Sequence, residues 1–203
     1  MRTIQNKDGS WNVWLTREEY NEIPRQTLDQ VQEIAIRLMG DCGLRVSEVL
    51  DVRPSDITRY GDGRHYKLTV RSGKDTTGEY QDGKQRETWI PVDLEARINQ
   101  VVQSTVHDVS HDDRIVPKAK RTVQSWVGRA ADAAADARDD DDYRKVSSHD
   151  LRRCWAHHLL VEEGVSPRIV MSLGGWSSYD AIEPYLAAPS ENNIIDSMTE
   201  ASL

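Results

Sequence analysis

A chain of 203 residues makes one large domain or two small ones, long enough to bury a core without covalent staples. Cys42 and Cys154 lie far apart with no C-x-x-C spacing, which argues against a disulfide scaffold or zinc site, and no run approaches the roughly eighteen apolar residues of a membrane span. The formal net charge of -8 counts against a simple nucleic-acid binder, because phosphate contacts need Lys and Arg, although local charge matters more than the total.

Residues 1–15 read as an irregular lead-in carrying Trp11 and Trp14, too polar over Met1–Ser10 for a signal peptide. Thr16-Arg17-Glu18-Glu19 is a capping box that should start a short helix, with Pro24 ending or interrupting it. A second box, Thr27-Leu28-Asp29-Gln30, predicts a helix to about Met39 with Leu28, Val31, Ala35 and Leu38 on its apolar face. Gly40 and Gly43 punctuate its end, and Arg45–Leu50 reads as a short helix broken at Arg53-Pro54.

A β region follows. Ile57–Tyr60 and His65–Val70 flank Gly61-Asp62-Gly63 as a hairpin, with a third strand at Thr88–Pro91 beyond the turn-rich Ser72–Gly78. Asp93 should cap a helix to about Val109. Thr122–Ala137 predicts another, with Val123, Trp126, Val127 and Ala130 inward. Asp139–Asp142 reads as a solvated acidic loop. The acid excess is mostly Asp and Lys is scarce beside Arg, a surface suited to a high-salt cytoplasm where self-repulsion is screened, so halophily is an expectation. Ser148 should cap a helix carrying His149 and Arg152 that ends at Gly164. Ser166-Pro167 starts the next helix and Gly174 stops it. A last amphipathic segment, Ser190–Leu203, carries Ile194, Ile195 and Met198. The pattern predicts a mainly α fold with a small three-stranded antiparallel sheet, in a soluble, cytoplasmic protein.

The residues with chemistry to offer are scattered. Arg45 and Arg152 are permanently charged forks suited to the oxygens of a phosphodiester. Glu48, one helical turn from Arg45, is placed to hold its head. His149 and Arg152 fall in the first turn of a helix, where backbone N–H groups favour an anion, and a histidine carries protons near neutrality. Trp176 offers an indole donor. Tyr185 is the candidate nucleophile, with Tyr179 as competitor; a phenol of pKa about 10 needs a neighbouring base or cation to react at neutral pH. Lys74 is the candidate general acid for a leaving 5′-oxygen, with Lys84 as alternative. His157 and His158 carry weaker signals. No carboxylate cluster supports a metal-dependent nuclease.

In combination these pieces resemble the tyrosine recombinase, or phage integrase, family over roughly residues 16–186. Gly43-Leu44-Arg45-Val46-Ser47-Glu48-Val49 looks like its first-arginine box, and Ser72-Gly73-Lys74 lies where the family keeps its hairpin lysine. His149-Asp150-Leu151-Arg152-Arg153 resembles the His-x-x-Arg box. Leu173-Gly174-Gly175-Trp176, with Tyr185 nine residues later, matches the His-or-Trp position and the nucleophile. The resemblance implies that Arg45 and Arg152 hold the scissile phosphate and that Tyr185 attacks it, leaving a 3′-phosphotyrosine. Lys74 would protonate the 5′-oxygen, His149 handle the tyrosine's proton, Trp176 donate to phosphate or pack against the site, and Glu48 orient Arg45 and His149. It implies no metal and no other cofactor.

The resemblance also implies double-stranded DNA as partner, a homo-tetramer on that DNA, and no membrane. Lys118, Lys120, Arg121, Arg129 and Arg153 are candidate DNA-backbone contacts. Residues 16–188 would form the catalytic domain and 189–203 a tail docking on a neighbouring protomer. The family's helical DNA-clamping domain is absent from this chain, which reads as an excised fragment or a minimal enzyme. Trp176 stands where histidine is commoner, Arg153 where a second histidine is usual, and Pro184 before Tyr185 requires that the local helix break or begin there. The rival readings are a type IB topoisomerase relaxing supercoils by the same chemistry, and a catalytically silent DNA-binding regulator.

Overall fold

Two short strands open the chain, where the sequence reads as irregular. In the computed structural model, which describes residues 1–73, 84–104, 109–185 and 198–199, β1 (Arg2–Gln5) pairs antiparallel with β2 (Trp11–Trp14). Four-residue strands are too short to show a convincing alternation, and a lone hairpin is marginal in water. This one is held from outside: Val13 is fully buried, and its N–H donates to the Asp150 carboxylate at 3.0 Å.

α1 (Arg17–Arg25) starts at the expected capping box, Thr16 accepting from the Glu19 N–H and Glu19 from that of Thr16. α2 (Gln30–Gly40) starts later than Thr27 suggests. Asp29 is the cap, accepting from the Gln32 N–H at 2.9 Å, while the Thr27 hydroxyl turns back to the Pro24 carbonyl. Leu28 therefore lies outside the helix and is 81% exposed, contrary to its expected place on the apolar face. Ile34, Ile36, Leu38 and Met39 are fully buried, and each such side chain contributes about 1.5–3 kcal/mol, which outweighs one exposed leucine. α2 thus becomes the central helix of the main core.

α3 (Val46–Val49) leads through a single 3₁₀ turn at Pro54–Asp56 into the sheet. β3 (Ile57–Arg59), β4 (Tyr66–Gly73) and β5 (Lys84–Ile90) lie antiparallel in that order, with Leu68 opposite both Ile57 and Thr88, and Val70 opposite Arg86. β5 begins four residues earlier than expected. Its buried positions alternate as Arg86, Thr88 and Ile90, so a charged side chain occupies the inward face.

α4 (Val92–Gln103) starts after Pro91, and Asp93 does not cap it but pairs with Arg37 at 2.5 Å. It stops at Gln103, short of the expected Val109. α5 (Lys120–Arg138) buries Val123, Trp126, Val127 and Ala130 as expected, and ends at Asp139 in the left-handed region. Two residues of the acidic run pair locally, Asp141 with Arg144 and Asp142 with Lys145, while Asp139 and Asp141 stay exposed to solvent.

α6 (Ser148–His157) is capped by Ser147, one residue before the expected cap; its N–H and hydroxyl donate to Asp150 Oδ2 at 2.9 and 2.6 Å. A π-helical turn, His158–Glu162, continues it before Gly164. α7 (Pro167–Gly174) and a 3₁₀ turn at Glu183–Tyr185 follow. These last elements form a second apolar cluster of Trp155, Ala156, Val170, Ile182 and Tyr185, partly covered by Leu159, Met171 and Trp176. The expected C-terminal segment lies outside the described residues, apart from 198 and 199. Among the described residues no helix is long and apolar enough to cross a membrane.

Candidate active site

The loop between α2 and α3 turns sharply at Gly43, where φ is +69° and a Cβ would fall within the Trp155 ring. Only glycine meets both conditions. The turn brings the Gly43 carbonyl against α6 and sets Arg45 as the residue before α3. A second close approach occurs at the end of α7, where a Cβ on Gly174 would collide with the Trp176 indole.

Those two glycine carbonyls receive Arg152. Its Nη1 donates to Gly43 and its Nη2 to Gly174, the latter at 2.6 Å, and its guanidinium lies 4.2 Å from the centroid of Trp176. The residue is 1% exposed. Burial chiefly, with the repulsion of Arg45 and Arg86, pulls Arg152 down to about 9, against the attraction of Glu48 and Tyr185; it remains a cation at neutral pH.

Glu48 is the anion at the centre, 2% exposed. Arg45 donates to it twice, from Nη1 to Oε1 and from its backbone N–H to Oε2, both at 2.7 Å. Arg86 binds it as a fork, Nη1 to Oε1 at 2.8 Å and Nη2 to Oε2 at 2.9 Å. Arg152 Nη1 stands 4.0 Å from Oε2. Burial pushes the Glu48 carboxyl up, but the hydrogen bonds and charges of Arg86 and Arg45 outweigh it and hold the group below its ordinary value. Three guanidiniums around one carboxylate leave two positive charges in excess, an environment that favours an anion.

Tyr185 closes the group. It is 7% exposed, with its ring 5.2 Å from that of Trp176, which in turn stacks on Trp155 at 5.9 Å. Its hydroxyl lies 3.5 Å from His149 Nε2. His149 sits at the open edge, and desolvation of its ring, with the charges of Arg153, Arg152 and Arg45, lowers its pKa below 6.5 against the opposing pull of Asp150. The imidazole is therefore neutral at pH 7 and able to accept a proton. Arg45, His149 and Arg152 line a cleft of about 260 Å3 together with Lys120 and Gln124 of α5.

A buried carboxylate, converging guanidiniums, a neutral histidine and a phenol form one constellation from four separated stretches of sequence. A family model described as phage integrase matches residues 14–191. The chain belongs to the phage integrase family. The structure of XerA recombinase superposes with a TM-score of 0.70 at 17% identity, covering 94% of this chain and 65% of that one. The Tn1549 transposon integrase in complex with transposon right end DNA gives 0.69 at 14% identity, covering 94% and 66%. XerH site-specific recombinase bound to its difH substrate gives 0.64 at 16% identity, covering 95% and 58%. At these identities the likeness is one of fold, and this chain spans just under two thirds of the first two solved chains. No match was found among curated proteins.

Within this integrase-family fold, contacts link Arg45, Glu48, His149, Arg152, Trp176 and Tyr185 into one group. Lys74 lies outside the described residues, and Lys84 opens β5 opposite Gly73. Tyr179 is 60% exposed and makes none of the ring contacts of Tyr185. His157 Nδ1 lies 3.4 Å from the Tyr185 carbonyl, and His158 pairs with Glu162 at 2.7 Å. The Pro184 break takes the form of the short 3₁₀ turn that carries Tyr185.

One candidate backbone contact changes character. Arg153 is buried, donating to Asp150 and to Asn12 Oδ1 at 2.9 Å with Trp14 against its guanidinium, so it is committed to the hairpin and unavailable to a phosphate. Lys118, Lys120, Arg121 and Arg129 are exposed. Arg86 is the residue that sequence reasoning missed. Its one signal is its place two and four positions before the buried Thr88 and Ile90 on an alternating strand.

Proposed function

We propose that this chain cleaves and rejoins DNA at specific sites through a phosphotyrosine on Tyr185. The phenolic oxygen attacks phosphorus, the bond from phosphorus to the 5′-oxygen breaks, and a 3′-phosphotyrosine forms. The phenolic proton passes to neutral His149, and the 5′-oxygen takes a proton from Lys74, or from Lys84 in its place. Arg45 and Arg152 hold the non-bridging oxygens, where charge grows in the transition state. Reversal by a second 5′-hydroxyl rejoins the strand. The bond energy stays in the covalent link, so the scheme requires neither ATP nor a metal.

The observation that supports this most is the 3.5 Å approach of the Tyr185 hydroxyl to His149 Nε2, beside a cleft lined by both Arg45 and Arg152. The nucleophile of this reading belongs to the same chain as the phosphate clamp. Lys118, Lys120, Arg121 and Arg129 are the proposed contacts to the duplex backbone on the α5 side of the cleft. The proposed assembly is a homo-tetramer on double-stranded DNA, with residues 189–203 docking on a neighbour.

A nicked suicide duplex tests the reading, because loss of a short 5′ fragment traps the covalent adduct. Tyr185→Phe should abolish the trapped band while Tyr179→Phe leaves it. An adduct that persists in Tyr185→Phe moves the nucleophile elsewhere, and plasmid relaxation without recombinant products assigns the chain to topoisomerase chemistry.

A further inference from the structure

Glu48 has two oxygens and about four lone-pair positions. Arg45 fills one on each oxygen, and the Arg86 fork fills the other two at 2.8 and 2.9 Å. Arg152 is next in line, 4.0 Å from Oε2, and it directs its donors to the carbonyls of Gly43 and Gly174 instead. A carboxylate buried with unfilled lone pairs draws in the nearest cation. With Arg86 absent, that cation is Arg152.

Arg86 also governs the other end of the Arg152 cradle. Its Nε donates to the Leu173 carbonyl at 2.9 Å, and its Cδ packs so close to Gly175 that a Cβ there would stand 2.8 Å away. Gly175 has φ of +71° and caps α7. One side chain on β5 therefore fixes the turn that presents both the Gly174 carbonyl and Trp176 to Arg152.

We infer that Arg86 is a positioning residue of the proposed strand-transfer site: it saturates Glu48 so that Arg152 keeps its place facing the cleft, and it fixes the Gly174–Trp176 turn on which Arg152 and Tyr185 pack. It does not line the cleft. Two placements of the Arg152 guanidinium compete, on the glycine carbonyls or on Glu48, and Arg86 decides between them.

The inference rests on the phosphotyrosine reading for its catalytic consequence but not for its structural one, and the test separates the two. Single-turnover cleavage of a nicked suicide duplex at saturating DNA is measured for wild type, Arg86→Ala, and Arg86→Ala combined with Glu48→Gln. Arg86→Ala should lower the rate roughly 100-fold, as for loss of a transition-state donor, with little change in DNA affinity. Glu48→Gln removes the charge that captures Arg152, so the double variant should recover about 10-fold over Arg86→Ala, a non-additive result. It also leaves no unpaired buried carboxylate, which keeps it folded if the single variant is not. In parallel, the guanidinium 15N–1H resonances of Arg152, assigned with Arg152→Lys, should shift in Arg86→Ala and return in the double variant. If Arg86→Ala cleaves within about threefold of wild type, or the double variant shows no recovery, the positioning role is wrong. If wild type forms no adduct, the phosphotyrosine reading fails, and the Arg152 resonances alone decide whether Arg86 holds Arg152 off Glu48.

Discussion

Asp150 and Val13 are 137 positions apart, yet the carboxylate of one accepts the backbone N–H of the other at 3.0 Å. The same carboxylate caps α6 through Ser147 and binds Arg153, so one residue ties the N-terminal hairpin to the helix that carries His149 and Arg152. Removing it strands a buried guanidinium, an unsatisfied strand N–H and an uncapped helix together. Asp150→Ala should destabilise the fold by about 3–5 kcal/mol, the typical cost of breaking a buried ion pair from one side. Urea denaturation followed at the Trp fluorescence measures it, and a loss below about 1 kcal/mol would mean the hairpin is not held through Asp150.

A second stability prediction concerns Gly43. Alanine there is strained by the positive φ and meets the Trp155 ring. Left-handed strain and overpacking each cost about 1–3 kcal/mol, so Gly43→Ala should lose about 2–6 kcal/mol in the same assay. Because the Gly43 carbonyl accepts from Arg152, the variant's folded fraction should also cleave more slowly than wild type.

These two residues mark where the sequence is legible and where it is not. Helical spacing announces α5 because its buried face repeats over several turns, and the capping box at Thr16 is a local signal read correctly. The arginine, histidine and tyrosine boxes are visible because their spacing resembles that of a family. Arg86 is not, since it sits in the polar stretch Lys84-Gln85-Arg86-Glu87 and the partners that hold it inward, Glu48 and the Leu173 carbonyl, lie 38 and 87 residues away. The β1–β2 hairpin escaped for the same reason: its determinant is Asp150. Leu28 failed in the opposite sense, because apolar spacing continued one step past the true cap at Asp29.

The exposed cations beside the cleft make a salt-dependence prediction. Lys120 and Arg121 at the start of α5, with Arg129 two turns on, lie on its exposed side. Removing one cation that neutralises a phosphate should flatten the slope of log K against log salt by roughly 0.9 for duplex DNA. Lys120→Ala with Arg121→Ala should therefore weaken binding to every sequence alike and reduce the slope accordingly, in fluorescence anisotropy titrations from low to high salt. An unchanged slope would place the duplex on another face.

The pH dependence of cleavage follows from His149. Desolvation first, and the nearby Arg153, Arg152 and Arg45 charges next, hold its pKa below 6.5, so the proton-accepting form predominates at neutrality. As pH falls through the lowered pKa the imidazole charges, can no longer take the Tyr185 proton, and repels the arginines. The acid limb of the single-turnover rate should therefore lie below pH 6.5. The sign for folding is the same: a depressed histidine pKa contributes stability above the unfolded value of 6.5 that is lost as pH drops through the folded one. Arg153→Ala removes the largest of those charges and should move the limb upward, whereas His149→Gln should lower the plateau and erase the limb. A limb that stays in place in His149→Gln would assign the proton to another group, with His157, 3.4 Å from the Tyr185 carbonyl, as the next to test.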